Sequence, residues 1–338
     1  MPPLRFILVG LGARAQYWIR LLNESPDCEL VGMVDPRDEV HARAQVQCPA
    51  ARVERDFAAL VPQVEADAVI LCTPPQGREE QVQIACSAGL AILAEKPLAD
   101  TVELARRYVN RAEAAGVMLM VVLNYRYLAV TAEIRHLMDI RLGRPEFARF
   151  TYERWRDGTL PHLNKYPLTM PPPMLWEQSI HHFDLMRHVY QSEPVRVFAK
   201  SFNPSWSMYA DDANVSAIFE FDNGLVANYQ GTWQSSWREH HFEWRTECAR
   251  GLIVQRNEYG ALAFAERGDP ALTPVALPPY EQWIDDARSL LAACVAAFRH
   301  EIPLPCSGRD HLKSLRMVQA CVESSRQGKA INAADMAS

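Results

Sequence analysis

No run in this 338-residue chain approaches the roughly 18 consecutive apolar residues that a membrane-spanning helix requires, so no helical span is expected. Its eight cysteines, at positions 28, 48, 72, 86, 248, 294, 306 and 321, include no C-x-x-C pair, which argues against zinc ribbons and dithiol redox motifs. Cys72 lies inside an apolar run, where a buried thiol is the ordinary outcome, and all eight are read as reduced structural residues. Positive charge is not in excess either. Lys and Arg number 35 against 41 Asp and Glu, a net charge of −6 that gives no bulk attraction for nucleic acid. There is no H-E-x-x-H spacing, no internal repeat and no low-complexity segment. What is present is a globular composition, 49% hydrophobic and 22% charged, over a length that suits two domains of roughly 100 to 200 residues each. The start, MPPLRFILVGLGARA, runs directly into a folded pattern rather than a cleavable signal, and a cytoplasmic location is expected.

Residues 4–22, LRFILVGLGARAQYWIRLL, form an apolar run, then G-x-G-x-x-A, then an amphipathic pattern: strand, tight turn, helix. Gly10 permits the sharp turn, Gly12 lets backbone approach a pyrophosphate, and small Ala15 lets helix and strand pack closely, with the helix N-terminus facing the phosphates. ELVGMVD (29–35) reads as a second strand ending in Asp35, about 20 residues on, where a ribose-binding carboxylate belongs. The competing reading is a glycine-rich turn that binds nothing. The charge of Asp35 repels a 2′-phosphate and so favours NAD, while Arg37 keeps NADP open, since it can stack on adenine, pair with such a phosphate, or sit exposed at a helix start.

Strand-like AVILCTPP (68–75), AILAEKP (91–97) and VMLMVVLN (117–124) follow, separated by helical patterns, which predicts a doubly wound parallel sheet in an α/β protein. Their ends carry Thr73, Pro74, Glu95, Lys96, Pro97 and Asn124, in the crevice where such a sheet binds its cofactor. A lysine followed by proline directly after a buried strand does not run easily into a helix, so the Lys96 side chain is expected to project into that crevice. A lysine snorkelling from a strand end is the alternative.

The stretch LWEQSIHHFDL (175–185) crowds acids and histidines among apolar residues. At helical spacing Glu177, His181, Asp184 and His188 recur at i, i+4, i+7 and i+11 on one face, beside an apolar stripe of Trp176, Ile180 and Phe183. Three readings are open: a solvated helix face, a catalytic apparatus, or a metal site in which His162 joins Glu177, His181 and Asp184. Beside a dinucleotide crevice, and without a metal-ligand spacing, no metal is expected. His182 points about 100° away from His181 on a helix and is read as structural. The proline run 171–173 suggests a shaped loop leading into this helix.

GLGARA (10–15), TPP (73–75), AEKPLA (94–99), NYRY (124–127), EQSIHHFD (177–184) and GRDHLKSLRMVQACVESSRQGKAI (308–331) together resemble, in order and spacing and over nearly the whole chain, the Gfo/Idh/MocA family of glucose-fructose oxidoreductase, inositol dehydrogenase and rhizopine catabolism proteins. The sequence departs from the family's pattern at Arg78, where several members have histidine, and at Pro171–Pro173, where many have a glycine-rich turn. The resemblance implies a Rossmann domain over residues 1–124 and, over 125–338, an α/β domain whose open, mainly antiparallel sheet covers the active site and joins subunits into a homodimer or homotetramer. Independently, FARFTYERW (147–155), RVFAKSF (196–202), NVSAIFEF (214–221), LVANYQGTW (225–233), HHFEWRTE (240–247) and GLIVQR (251–256) read as strands, with FDNG (221–224) as a hairpin turn. An antiparallel meander is expected, followed by helices near 283–299 and 309–327.

By resemblance the catalytic set is Lys96, Glu177 and His181, with Glu177 standing where many members have aspartate. Histidine, with an unperturbed pKa of about 6.5, suits proton exchange with a secondary alcohol while hydride moves to nicotinamide. Lys96 would hydrogen-bond the substrate oxygen. Arg14 joins the cofactor residues of the glycine-rich turn. Asp184 completes an H-x-x-D pattern and is a candidate to orient His181 or bind substrate, with a surface carboxylate as the alternative. Tyr125, Arg126, Tyr127 and Trp176 are weaker contact candidates. Tryptophans 155, 176, 206, 233, 237 and 244, all within the expected second domain, offer flat faces to sugar rings or pack the core. The function implied is hydride transfer between NAD(P) and a sugar, sugar acid, cyclitol or related polyol. The alternatives are an NAD-dependent glycoside hydrolase using transient oxidation and a non-catalytic NAD- or sugar-binding regulator.

Overall fold

The computed structural model describes residues 1–161, 163 and 165–332. These group into two compact units, Met1–Asn124 with Glu281–Leu312, and Tyr125–Tyr280 with the chain from Lys313 onward. Segment 281–312 thus returns to the first unit, although the sequence division at 124 groups it with the second. The cause is packing. Helix Asp285–Phe298 lies against helix Ala13–Glu24, and Arg288 and Arg299 pair with Glu24 (2.6 Å) and Asp27 (2.9 Å).

In the first unit, β1 (Leu4–Val9), β2 (Cys28–Val34), β3 (Arg52–Glu54), β4 (Ala68–Leu71), β5 (Ala91–Ala94) and β6 (Leu119–Val121) form one parallel sheet in the order β3-β2-β1-β4-β5-β6. This is the doubly wound sheet expected. The strands AVIL and AILA are buried throughout, as a parallel sheet covered on both faces requires. Only β3 was not anticipated: three residues, RVE, are too short and too polar to show a period. Strand order reverses between β1 and β4, which opens a crevice beyond their carboxyl ends.

The second unit holds β7 (Pro145–Glu153), β8 (Pro194–Phe202), β9 (Asn214–Phe221), β10 (Val226–Thr232), β11 (His241–Cys248), β12 (Gly251–Asn257), β13 (Gly260–Glu266), β14 (Thr273–Pro274) and β15 (Ile331–Asn332). Their order is β14-β13-β12-β11-β7-β10-β9-β8-β15. FDNG makes the β9–β10 turn, with Gly224 at φ +87°. A simple meander does not form, because β7 lies between β10 and β11 and runs parallel to β10. A helical connection follows β7, and such a crossover lets the chain re-enter the sheet in the same direction. Strand β13 escaped notice because ALAFAE is rich in alanine, a weak strand former.

Alternating burial gives the nine-stranded sheet one covered and one open face. Helix Ile180–Tyr190 belongs to the covered side, where Phe183 meets Phe219 at 4.9 Å and Tyr229 at 5.0 Å between ring centroids. Burying one such side chain contributes about 1.5–3 kcal/mol. The expected continuous α-helix through LWEQSIHHFDL needs a correction: Met174–Ser179 is a π-helix that runs directly into the α-helix. A π turn closes i to i+5, so the α-helical spacing from Glu177 to His181 does not hold across the junction.

Candidate active site

In the first unit the glycine-rich turn sits at the switch point of the sheet. Gly10 has φ +90°, and a Cβ there would come within 3.1 Å of the backbone of Cys72 and Thr73. Only glycine suits that position. Gly12 starts helix Ala13–Glu24, carries no side-chain cap, and has open space around its missing Cβ. A helix start with no side-chain cap and with open space beside Gly12 fits a pyrophosphate, and buried Ala15 suits close packing of the helix on the sheet. Asp35, at the end of β2, is 3% exposed and accepts from Leu11 N (2.8 Å), Arg37 N (3.0 Å), Arg37 Nε (2.9 Å) and Arg37 Nη2 (2.9 Å). Burial alone raises its pKa, but these donors outweigh it and hold the carboxyl below its ordinary value. All four acceptor positions are therefore engaged, and the Arg37 side chain must turn away before Asp35 can take ribose hydroxyls.

Two turns follow β4 and β5. Thr73 donates to Gln81 (2.7 Å), and Pro74 beside it is exposed. Glu95 is buried and accepts from Arg14 Nε (2.7 Å) and Trp18 Nε1 (3.0 Å), which ties the glycine-rich turn to the turn carrying Lys96. Against the upward push of burial, Arg14 holds the Glu95 carboxyl below its ordinary value. Lys96 is half-buried, and the buried Asn124 amide donates to Asp286. The expected cofactor residues are thus gathered in one unit.

In the second unit the polar stripe does not face water. His181 is 7% exposed and its ring stacks on Tyr125, centroids 4.3 Å apart and planes 16° from parallel. The Tyr125 hydroxyl donates to Glu258 (2.9 Å). Asp184 takes a bidentate pair from Arg126 (2.7 and 2.6 Å) and accepts from Ser314 (2.8 Å). Burial favours its protonation, but Arg126 and Arg187 outweigh that and keep the carboxyl low. Arg126 and Asp184, both weaker substrate candidates, are therefore committed to each other. His188 meets Arg135 instead, so the stripe is divided among separate partners. Glu177 and Tyr127 are half-buried and Trp176 is buried. His182 is fully buried, contacts Tyr229 OH (2.8 Å), and is pushed down to about 3 by burial and by His240.

Comparison with known proteins adds the family. Residues 4–123 match the Gfo/Idh/MocA oxidoreductase family, NAD-binding Rossmann fold, and residues 132–253 match the C-terminal domain of the same family. The chain belongs to the Gfo/Idh/MocA oxidoreductase family. Among similar proteins, 1,5-anhydro-D-fructose reductase of Ensifer adhaerens is 26% identical over 75% of this chain and 76% of its own length. D-apiose dehydrogenase of Paraburkholderia graminis is 25% identical over 96% of this chain and 88% of its own. An Agrobacterium radiobacter oxidoreductase, crystallised with NAD+, L-tartaric acid and magnesium, has the same fold, with a TM-score of 0.88 at 19% identity over 98% of this chain and 99% of that one.

This Gfo/Idh/MocA chain also sets beside Tyr125 a buried carboxylate that has no signature in the sequence. Glu258, in the turn between β12 and β13, is buried against the Tyr125 hydroxyl, and burial pushes its carboxyl pKa up. Nothing in N-E-Y-G marks it, because an acid in a hairpin turn is ordinarily exposed. Of the six tryptophans, Trp176, Trp233 and Trp244 are buried, while Trp206 and Trp237 are 54% and 65% exposed. His162 lies outside the described residues, among which no group of three His, Cys, Asp or Glu could hold a metal ion.

Proposed function

We propose that this oxidoreductase exchanges hydride between NAD and a secondary alcohol or ketone of a sugar, sugar acid, cyclitol or related polyol. The observation that carries the reading is the cradle at the β1/β4 switch point, tied through the Arg14–Glu95 pair to the turn bearing Lys96. The activities of the two relatives named above, 1,5-anhydro-D-fructose reductase and D-apiose dehydrogenase, support the substrate class. When bound, NAD supplies the hydride acceptor or donor at its nicotinamide ring. His181 takes the proton from the substrate hydroxyl, and its stack on Tyr125 limits the ring's rotation. Lys96 hydrogen-bonds the substrate oxygen as charge develops on it, and Glu177 completes the proposed catalytic set from the π-turn that precedes His181. Arg14, Asp35, Arg37, Thr73, Pro74, Glu95 and Asn124 shape the cofactor site, and Asp35 favours NAD over NADP.

The same reading includes assembly. Phe147 pairs in register with Val226, and Phe198 with Ile218, and all four are exposed on the sheet's open face at 39–58%. An apolar face of this kind needs a cover, and a second copy in a homodimer or homotetramer supplies it. The chain acts in the cytoplasm. The test of the activity is a screen of sugars, sugar acids and inositols with NAD and NADP, following reduced-cofactor absorbance. Product formed with no net change in cofactor would replace the reading with the hydrolase.

A further inference from the structure

Arg78 is a charged residue in an unfavourable place. It is the first residue of helix Arg78–Ser87, where the helix dipole disfavours a cation, and it is 0% exposed, where its desolvation is costly. Its guanidinium offsets both through carbonyl oxygens. Nη1 donates to Glu95 O (2.6 Å), Pro97 O (2.8 Å) and Leu98 O (3.1 Å), and Nη2 donates to Thr73 O. Three of these carbonyls surround Lys96 in the turn after β5, and the fourth belongs to the turn after β4. That second turn also packs on Gly10, whose missing Cβ leaves room for Thr73. One side chain therefore joins the turn carrying Lys96 to the turn carrying Thr73 and Pro74. A guanidinium has five N–H donors in a rigid fork; an ammonium has three without the fork, and an imidazole at most two.

We propose that Arg78 is a positioning residue: it holds the Lys96 turn and the Thr73–Pro74 turn as one piece, so that the catalytic lysine keeps its aim relative to the cofactor site. The proposal rests on the reading of Lys96 as the group that meets the substrate oxygen. Misplacing a catalytic group by about an ångström can cost on the order of a hundredfold in rate without removing a contact to the cofactor.

The test uses the full chain with Arg78→Met, Arg78→Lys and Arg78→His, and Lys96→Ala as a reference. Three quantities are measured for each: NAD dissociation constant by titration, kcat and KM on a substrate found in the screen, and peptide-resolved amide hydrogen exchange. The expected result for Arg78→Met is a fall in kcat of roughly a hundredfold with NAD affinity within about threefold of wild type, and faster exchange in segments 72–77 and 94–99 together. Arg78→Lys should restore part of the rate and protection, more than Arg78→His. If Arg78→Met does not fold, the lysine and histidine variants carry the comparison. Unchanged kcat, unchanged exchange in either turn, or a loss of NAD affinity as large as the loss of rate would overturn the proposal. Full turnover by Lys96→Ala would instead remove the reading of Lys96, and exchange in the two turns would then decide the clamp by itself.

Discussion

The candidate cofactor residues of the first unit and the candidate catalytic residues of the second, the cofactor half and the chemical half of the proposed function, are built in different ways. The cofactor half in the first unit is mostly backbone: a glycine at φ +90°, an uncapped helix start and short turns at neighbouring strand ends. The chemical half in the second unit is made of largely buried side chains drawn from distant segments: His181 stacks on Tyr125, Tyr125 donates to Glu258, and Asp184 accepts from Arg126. A backbone cradle is specified by small residues at fixed spacing. A side-chain cluster is specified only by the fold that gathers it.

The contrast predicts that damage to one half spares the function of the other. The largest effects belong to the chemical centre. His181→Ala should lower kcat by roughly 10² to 10⁴ while leaving the NAD dissociation constant nearly intact, whereas Gly10→Val should abolish NAD binding; stopped-flow assays and titration of both variants separate the halves. Loss of NAD binding in His181→Ala would erase the distinction.

Next in size is the buried pair. Asp184→Ala removes the bidentate partner of Arg126 and should cost about 3–5 kcal/mol in denaturant unfolding, because breaking a buried pair on one side is strongly destabilising. A cost below about 1 kcal/mol would show that Arg126 finds other partners.

A pH-dependent term, small near neutral pH, comes from His182. Its folded pKa of about 3 lies below the ordinary value of about 6.5, so between these values the unfolded chain binds more protons. Its contribution is complete above about pH 6.5 and declines as pH falls toward 3, by up to about 1.4 kcal/mol per unit. His182→Gln should flatten that part of the stability profile, and an unchanged slope would contradict the burial of a neutral ring.

The smallest effect concerns cofactor choice. Arg37→Ala frees the carboxylate of Asp35 from its bidentate partner and removes a cation beside a 2′-phosphate, so the preference for NAD over NADP should sharpen several-fold in paired titrations. A weaker preference would mean that Arg37 acts chiefly on adenine.

The same contrast explains what could be read from residues alone. The parallel sheet and its glycine-rich turn follow from local patterns, apolar runs ending at Gly10, Asp35, Thr73 and Glu95, and the structure keeps every one of those long runs as a strand. The insertion of β7 between β10 and β11 has no local signature, since it depends on pairing across distant segments. The π-helix at Met174–Ser179 was equally silent, because a helical periodicity does not reveal one extra residue in a turn. Glu258 and the four carbonyls held by Arg78 become visible only once the strand ends are brought together.

The central claim, hydride transfer between a carbohydrate-like secondary alcohol and NAD, is tested most directly with a substrate from the screen deuterated at the reacting carbon. After incubation in ordinary water, mass spectrometry of the reduced cofactor should show one deuterium per molecule. Reduced cofactor without deuterium, or sugar product with no reduced cofactor at all, would contradict the account.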